Sequence, residues 1–257
     1  MSVYNLKPNT NYFYHVQALC ADGSKVTVMN DNFITGAEPT RLLKIEGIQN
    51  VRDIGGYETL DGKYVKYGLI FRGSAMDEDA QSNFRITDTG KQEMLERLGI
   101  KTDLDLRYAY TESPLGDGVD FLTAAGGYGS YSNAITDATQ RSYFKFFFES
   151  IVTQLTANKP VYIHCQGGCD RTGTFVFLIL GLLGVSESDL AKEYELSSFS
   201  PIGLGRRRDS TTYDYKGMVE AIKAYNGSTF TNNFEAFATD CGVTMETINT
   251  FRSLMLQ

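Results

Sequence analysis

The stretch Val161-Tyr162-Ile163-His164-Cys165-Gln166-Gly167-Gly168-Cys169-Asp170-Arg171-Thr172-Gly173 constrains this chain more than any other. An apolar strand starting at Pro160 runs into a cysteine. Five residues then separate Cys165 from Arg171, and Thr172 to Gly184 reads as a helix that is apolar on every side. A strand and a helix of that composition are both buried, so they belong at the centre of a layered fold. Glycines in the loop between them let backbone N–H groups turn inward, and such a nest at a helix N-terminus binds a tetrahedral oxyanion. Arg171 adds a planar fork that matches two phosphate oxygens. The N–H donors and the helix dipole stabilise negative charge where the cysteine sulfur sits. A thiolate beneath a bound phosphate is a nucleophile aimed at phosphorus. The Thr172 hydroxyl is placed to hydrogen-bond that sulfur and help it leave in a second step. His164 has two readings: it orders the loop from behind, or it is an ordinary buried histidine.

The rest of the chain supplies layers for this core. Leu69-Ile70-Phe71-Arg72 and Thr102 to Leu106 read as strands. Thr87 or Asp88 caps a helix through Leu98, which Gly99 ends. Thr139 to Asn158 places Phe144, Phe147, Phe148, Ile151 and Leu155 at helical spacing, an aromatic stripe best explained as core. Amphipathic helices follow near 186–197, 213–225 and 244–256, with a short one near 231–238. Strands alternating with helices predict an α/β fold, a central parallel or mixed sheet flanked by helices.

Residues 1–38 read differently, as a β-hairpin: Tyr12 to Leu19, a turn at Ala21-Asp22-Gly23-Ser24, and a second strand within Lys25 to Thr35. The pattern Leu6-x-Pro8-x-Thr10-x-Tyr12, then Val16-x-Ala18 and Phe33-x-Thr35, resembles the last strands of a fibronectin type III-like sandwich, with Tyr12 at the tyrosine corner. A whole sandwich needs about 100 residues. Either the chain is a piece of a longer protein, or the hairpin leans on the main domain, residues 39–257.

Composition removes several function classes. A net charge of −7, from 31 acidic and 24 basic residues, disfavours nucleic acid and anionic membranes as partners. His15 and His164 are the only histidines, which argues against a histidine-rich metal centre, and no cofactor is expected. The longest apolar run, Phe175 to Leu183, falls short of the ~20 residues that span a bilayer. MSVYNLKPNT has no signal-peptide pattern. Cys20, Cys165, Cys169 and Cys241 have no paired CxxC spacing, so a free reactive thiol is available.

The central segment resembles the His-Cys-x5-Arg-Ser/Thr signature of the Cys-based protein tyrosine phosphatase superfamily. Asn50-Val51-Arg52-Asp53-Ile54-Gly55-Gly56-Tyr57, Ile70-Phe71-Arg72-Gly73-Ser74, Asp103-Leu104-Asp105-Leu106-Arg107 with Glu112, Asp170-Arg171-Thr172-Gly173, Leu183-Gly184-Val185-Ser186 and Glu193-Tyr194-Glu195-Leu196-Ser197 are similar to the bacterial tyrosine/dual-specificity phosphatases with an HCxxGKDRTG loop. The resemblance implies metal-independent phosphomonoester hydrolysis through a cysteinyl-phosphate on Cys165. It implies phosphate binding by Gln166, Gly167, Gly168, Cys169, Asp170, Arg171 and Thr172, and phosphotyrosine in a protein or peptide as substrate.

Three departures bear on that reading. Cys169 stands where the group usually has Lys, so the loop has no basic side chain before Arg171, which weakens the alternative of a phosphoinositide substrate. Arg206-Arg207-Arg208 either restores positive charge at the pocket mouth or is a solvated loop. With no Trp-Pro-Asp segment, the resemblance makes Asp170 the general acid; a structural brace is the competing role, and Asp137 is the reserve acid. Asp53 and Asp105 are expected to hold arginines behind the site, among Arg52, Arg72 and Arg107. Cys169 either traps an oxidised Cys165 as a disulfide or fills the loop. A phosphatase fold that binds phosphotyrosine without turnover is the remaining alternative, although both Cys165 and Arg171 are present. A fibronectin-like segment would suit a secreted or cell-envelope protein, and the missing leader suits a cytoplasmic one.

Overall fold

In the computed structural model, which describes residues 3–36, 41–77, 84–108 and 111–257, the strand before the cysteine occupies the interior of a six-stranded sheet. In chain order its strands are β3 (Arg41–Leu42), β4 (Arg52–Asp53), β5 (Ile70–Gly73), β6 (Thr102–Asp105), β7 (Asp120–Leu122) and β8 (Val161–His164). Across the sheet they run β3-β4-β5-β8-β6-β7. β5, β8, β6 and β7 are mutually parallel, and β3 and β4 add an antiparallel edge. Parallel neighbours on both sides of β8 bury it, which is why its residues are apolar without alternation.

The period of two still decides which core each side chain joins. Val161 and Ile163 face a large core, whereas Tyr162 and its neighbour Phe71 face a smaller one with Ile86, Met94 and Leu98. The smaller core is covered by α1 (Asp88–Gln92), which Thr87 caps by accepting the Gly90 N–H at 3.1 Å. The helix expected through Leu98 changes pitch on the way: Glu93–Arg97 is a π turn, and the Leu98 N–H bonds the Glu93 carbonyl. Gly99 follows with φ 73°, as its helix-ending role requires.

The large core is covered by helices α3 (Ala138–Thr156), α4 (Arg171–Leu182), α5 (Glu187–Glu195), α6 (Tyr215–Lys223), α7 (Phe230–Asp240) and α8 (Met245–Met255). The aromatic stripe of α3 is core, as expected: Phe144 meets Phe148, Phe175 and Phe237, and Phe148 meets Phe251. Gly181 lets α4 and α7 approach closely, because a Cβ there would run into the Phe234 ring. One further helix lies between β7 and α3. α2 (Tyr131–Thr136) opens on Tyr131 at φ 58°, and glycine-rich flanks hide a helix this short from periodicity.

β1 (Asn11–Leu19) and β2 (Lys25–Ile34) form a separate antiparallel pair with a bulge at Val16/Gln17. The Tyr12 hydroxyl accepts the Lys7 N–H at 2.8 Å, the upstream backbone bond of a tyrosine corner. The segment before the hairpin is tied to the main sheet. Asn5 exchanges bonds with the Lys44 N–H and carbonyl and donates to Glu93, and Arg41 donates to the Leu6 carbonyl. The expected boundary at residue 38 lies outside the described residues.

Candidate active site

Cys165 follows the last residue of β8, at the carboxyl end of the parallel strands, where α/β sheets open a crevice. The loop from Cys165 to Asp170 is shaped by what its carbonyls bind. The Gln166 carbonyl accepts the Ala75 N–H at 2.8 Å. Asn50 Nδ2 donates to the carbonyls of Gly167 (3.2 Å) and Gly168 (3.1 Å), and Arg72 donates to Gly168 as well. Peptide planes are rigid, so a carbonyl fixed outward turns the following N–H the other way. The N–H groups of Gly167, Gly168 and Cys169 take no partner from the described residues, which leaves them for an anion. Gly168 sits at φ 66°, and a Cβ would collide with the Gly73 carbonyl. Only glycine closes the loop onto β5.

Two buried ion networks hold the loop from behind. Glu193 on α5 receives Arg52 at 2.8 Å and Arg72 at 2.7 Å. Burial works against its charge, but the two guanidiniums win and hold its carboxyl below the usual range. Asn50 is oriented by Arg52, which donates to its Oδ1. Of the two aspartates expected to hold Arg52, Arg72 or Arg107, Asp105 holds one of the three and Asp53 holds none. Asp53 binds Arg41 and the N–H groups of Gly55 and Gly68, and Glu193 takes Arg52 and Arg72. Asp105 does hold Arg107, which reaches on to Asp77. His164 lies 2.8 Å from Asp103 and 3.9 Å from Asp105. Burial depresses the imidazole, yet Asp105 and Asp103 push it up to about 9. Its Nδ1 sits 3.3 Å from the Cys165 carbonyl, where the loop begins.

In front of the loop is a cleft of about 310 Å³ lined by Phe84, Cys165, Gln166, Gly167, Asp170, Arg171, Ile202 and Arg206. Asp170 stands at its rim. Arg206 grips both carboxylate oxygens, Nε to Oδ1 at 3.1 Å and Nη2 to Oδ2 at 2.9 Å. The Tyr131 hydroxyl donates to Oδ1 and is itself paired with Tyr194. Asp137, the reserve acid, caps α3 by accepting the Gln140 N–H and is outside the cleft lining. The Thr172 hydroxyl is buried without a partner among the described residues, so it does not reach the sulfur as expected. Cys169 is not among the residues that line the cleft: its thiol donates to the Gly167 carbonyl at 3.2 Å, and burial, then the nearby Cys165, pushes it up to about 11.

The basic run splits three ways. Arg207 pairs with exposed Asp209 and Arg208 with Glu195, as a solvated loop would. Arg206 instead stacks on Tyr213, 4.0 Å from the ring centre, and enters the cleft. Sequence reasoning missed Asn50 and Glu193 as functional positions, and it left the basic run open between the pocket mouth and a solvated loop. Asn50 and Glu193 stood inside segments read only for resemblance, and nothing local marked Arg206 apart from its neighbours.

A cysteine at the end of the central strand, an anion-binding loop over it and an arginine opening the next helix define the class of cysteine-based phosphatase folds. The profile of the Tyrosine phosphatase family matches residues 43–257, and the chain belongs to that family. It is 27% identical over 203 residues to the triple specificity protein phosphatase PtpB of Mycobacterium tuberculosis, covering 61% of this chain and 69% of that one. A Cupriavidus necator chain, named among the tyrosine-protein phosphatases, is 25% identical over 175 residues, 59% of this chain. The chain spans 61% of that relative's length. The solved core catalytic domain of the S. cerevisiae PP-IP phosphatase SIW14 aligns at 18% identity and a TM-score of 0.42, covering 72% of this chain and 95% of that one.

Proposed function

We propose that this chain hydrolyses phosphate monoesters by a thiol route, with phosphotyrosine in a protein or peptide as its substrate. The loop over Cys165, with three carbonyls tied outward and Arg171 at the next helix start, carries the reading. In the first step the Cys165 sulfur attacks phosphorus. The S–P bond forms, the bond to the tyrosyl oxygen breaks, and that oxygen takes a proton from the Asp170 carboxyl. In the second step water attacks phosphorus, the S–P pair returns to sulfur, and Asp170 recovers a proton. The inward N–H groups and Arg171 stabilise the charge on the equatorial oxygens throughout.

A second reading, hydrolysis of a phosphoinositide, is favoured by one observation. Arg206 brings to the cleft the extra cation that the loop itself lacks. The test is turnover of a phosphotyrosine peptide and of a phosphoinositide, side by side with a chelator present, by the wild-type chain and by Cys165→Ser. Peptide turnover that survives the chelator and vanishes in the variant is the expected result. Faster turnover of the lipid would move the substrate class. No turnover with retained vanadate binding would leave a phosphotyrosine-binding module.

A further inference from the structure

The contact between Arg206 and Asp170 poses a chemical problem that the reading above, on which this inference rests, must solve. A general acid has to carry a proton when the leaving group departs. To pass that proton on, the acid has to present a carboxyl oxygen to the leaving group, and in this structure Arg206 occupies both Asp170 oxygens. The same Arg206 lines the cleft together with Cys165 and Arg171, where a phosphate dianion would lie within reach of its fork.

We propose that Arg206 is a substrate-responsive clasp on Asp170, occupying both carboxylate oxygens in the free enzyme and turning to the incoming phosphate, so that Oδ2 becomes free to carry the leaving group's proton. Three features of the structure fit this exchange. The two carboxylate oxygens are not equivalent: Oδ1 is also held by Tyr131, whereas Oδ2 is bound by Arg206 alone among the described residues. Releasing Arg206 thus frees one oxygen without stranding the side chain, because Tyr131, backed by Tyr194, keeps its hold. Arg206 also keeps two footholds when it leaves Asp170: its guanidinium carbon is 4.0 Å from the Tyr213 ring centre, and its Nη1 donates to the carbonyl of Ile202, a residue of the cleft wall. Finally, Asp170 makes no capping bond to α4, so it is not committed to the helix.

The charged and titratable groups around Asp170 are Arg206, Tyr131 and Tyr194 in front, Arg171 beside it, and the two loop cysteines, Cys165 and Cys169, behind. Arg206 is the cation in direct contact with the carboxylate. In the first step the Asp170 proton passes from Oδ2 to the leaving oxygen. In the second the attacking water returns one to Oδ2. After phosphate departs Arg206 closes on the carboxylate again.

The test compares pH profiles of the wild-type chain and Arg206→Gln on one phosphotyrosine peptide. The kcat/KM profile reports the free enzyme and the kcat profile the complex. In wild type the clasp is closed only in the free enzyme. Arg206→Gln is therefore expected to move the basic limb of kcat/KM to higher pH. It should leave the basic limb of kcat in place and raise KM. In an Asp170→Asn background the shift should vanish. Equal shifts in both profiles would mean Arg206 stays on Asp170 through turnover, and no shift in either would mean it does not act on Asp170; both results overturn the proposal. Should Arg206→Gln fold poorly, Arg206→Lys keeps a charge but loses the two-pronged grip, and a smaller shift in kcat/KM alone replaces the first. Failure of the underlying phosphatase reading is distinct, because wild type itself would then show no turnover.

Discussion

His164 shows how single residues behind the loop couple charge to folding. Burial alone would strip its proton, but Asp105 and Asp103 reverse that and push it up to about 9 from 6.5. The folded protein therefore holds this proton more tightly than the unfolded chain does. The resulting stability is complete below about pH 6.5 and is lost as pH rises through about 9. Urea midpoints measured from pH 6 to 9.5 are expected to fall more steeply for wild type than for His164→Gln. Parallel curves would show that folding leaves the imidazole's hold on its proton unchanged, and a rise with pH would show that the folded imidazole is neutral. At this scale the sequence announced two residues of the cleft, Cys165 and Arg171, because a spacing of five fixes them on either side of one loop. It did not announce their supports. Glu193 and Asn50 act from 28 residues after Cys165 and more than 100 before it, and long-range ion pairs leave no local pattern. Arg206 and Asp170, 36 apart, meet for the same reason unannounced.

Among elements, the unit that matters is β8, its loop and α4. Their order was legible because an apolar strand, glycines and an apolar helix cannot be arranged otherwise in a layered fold. The short edge strands β3 and β4 were not legible, since two residues carry no period. Nor was the π turn that interrupts the helix after α1, because i→i+5 bonding leaves the composition unchanged. The joint between β5 and the loop gives a prediction. Gly168→Ala must abandon φ 66° or push the Gly73 carbonyl aside. Either way the neighbouring N–H groups lose their aim. Vanadate affinity is expected to drop by about tenfold or more, the size of one lost charge-assisted hydrogen bond, while the far-ultraviolet circular dichroism spectrum is unchanged. Unaltered vanadate binding would mean the loop's backbone is not the anion's cradle.

For the whole molecule, the division between hairpin and main body follows from burial. Almost every residue of β1 and β2 is exposed, Phe13, Leu19 and Ile34 among them, whereas β8 is wholly buried. Local opening costs little where few apolar contacts are broken. Hydrogen exchange is expected to label β1 and β2 several orders of magnitude faster than β8 and α4. Matching protection would show that the hairpin folds as one unit with the main body. The tyrosine-corner bond of Tyr12 supports the fibronectin-like reading of this segment, which we keep as a proposal. The buried triad of Arg52, Glu193 and Arg72 has a further consequence, for the order of events at the ribosome. A nascent chain that has emerged only as far as α4 already displays Cys165 and Arg171, but Glu193 is still inside the exit tunnel. Until α5 appears, Arg72 has no carboxylate to fix it and the Gly168 carbonyl loses a firm anchor. Cys165 is thus translated well before the loop around it is braced, and on the proposed reading the cradle waits on a helix that does not line the cleft.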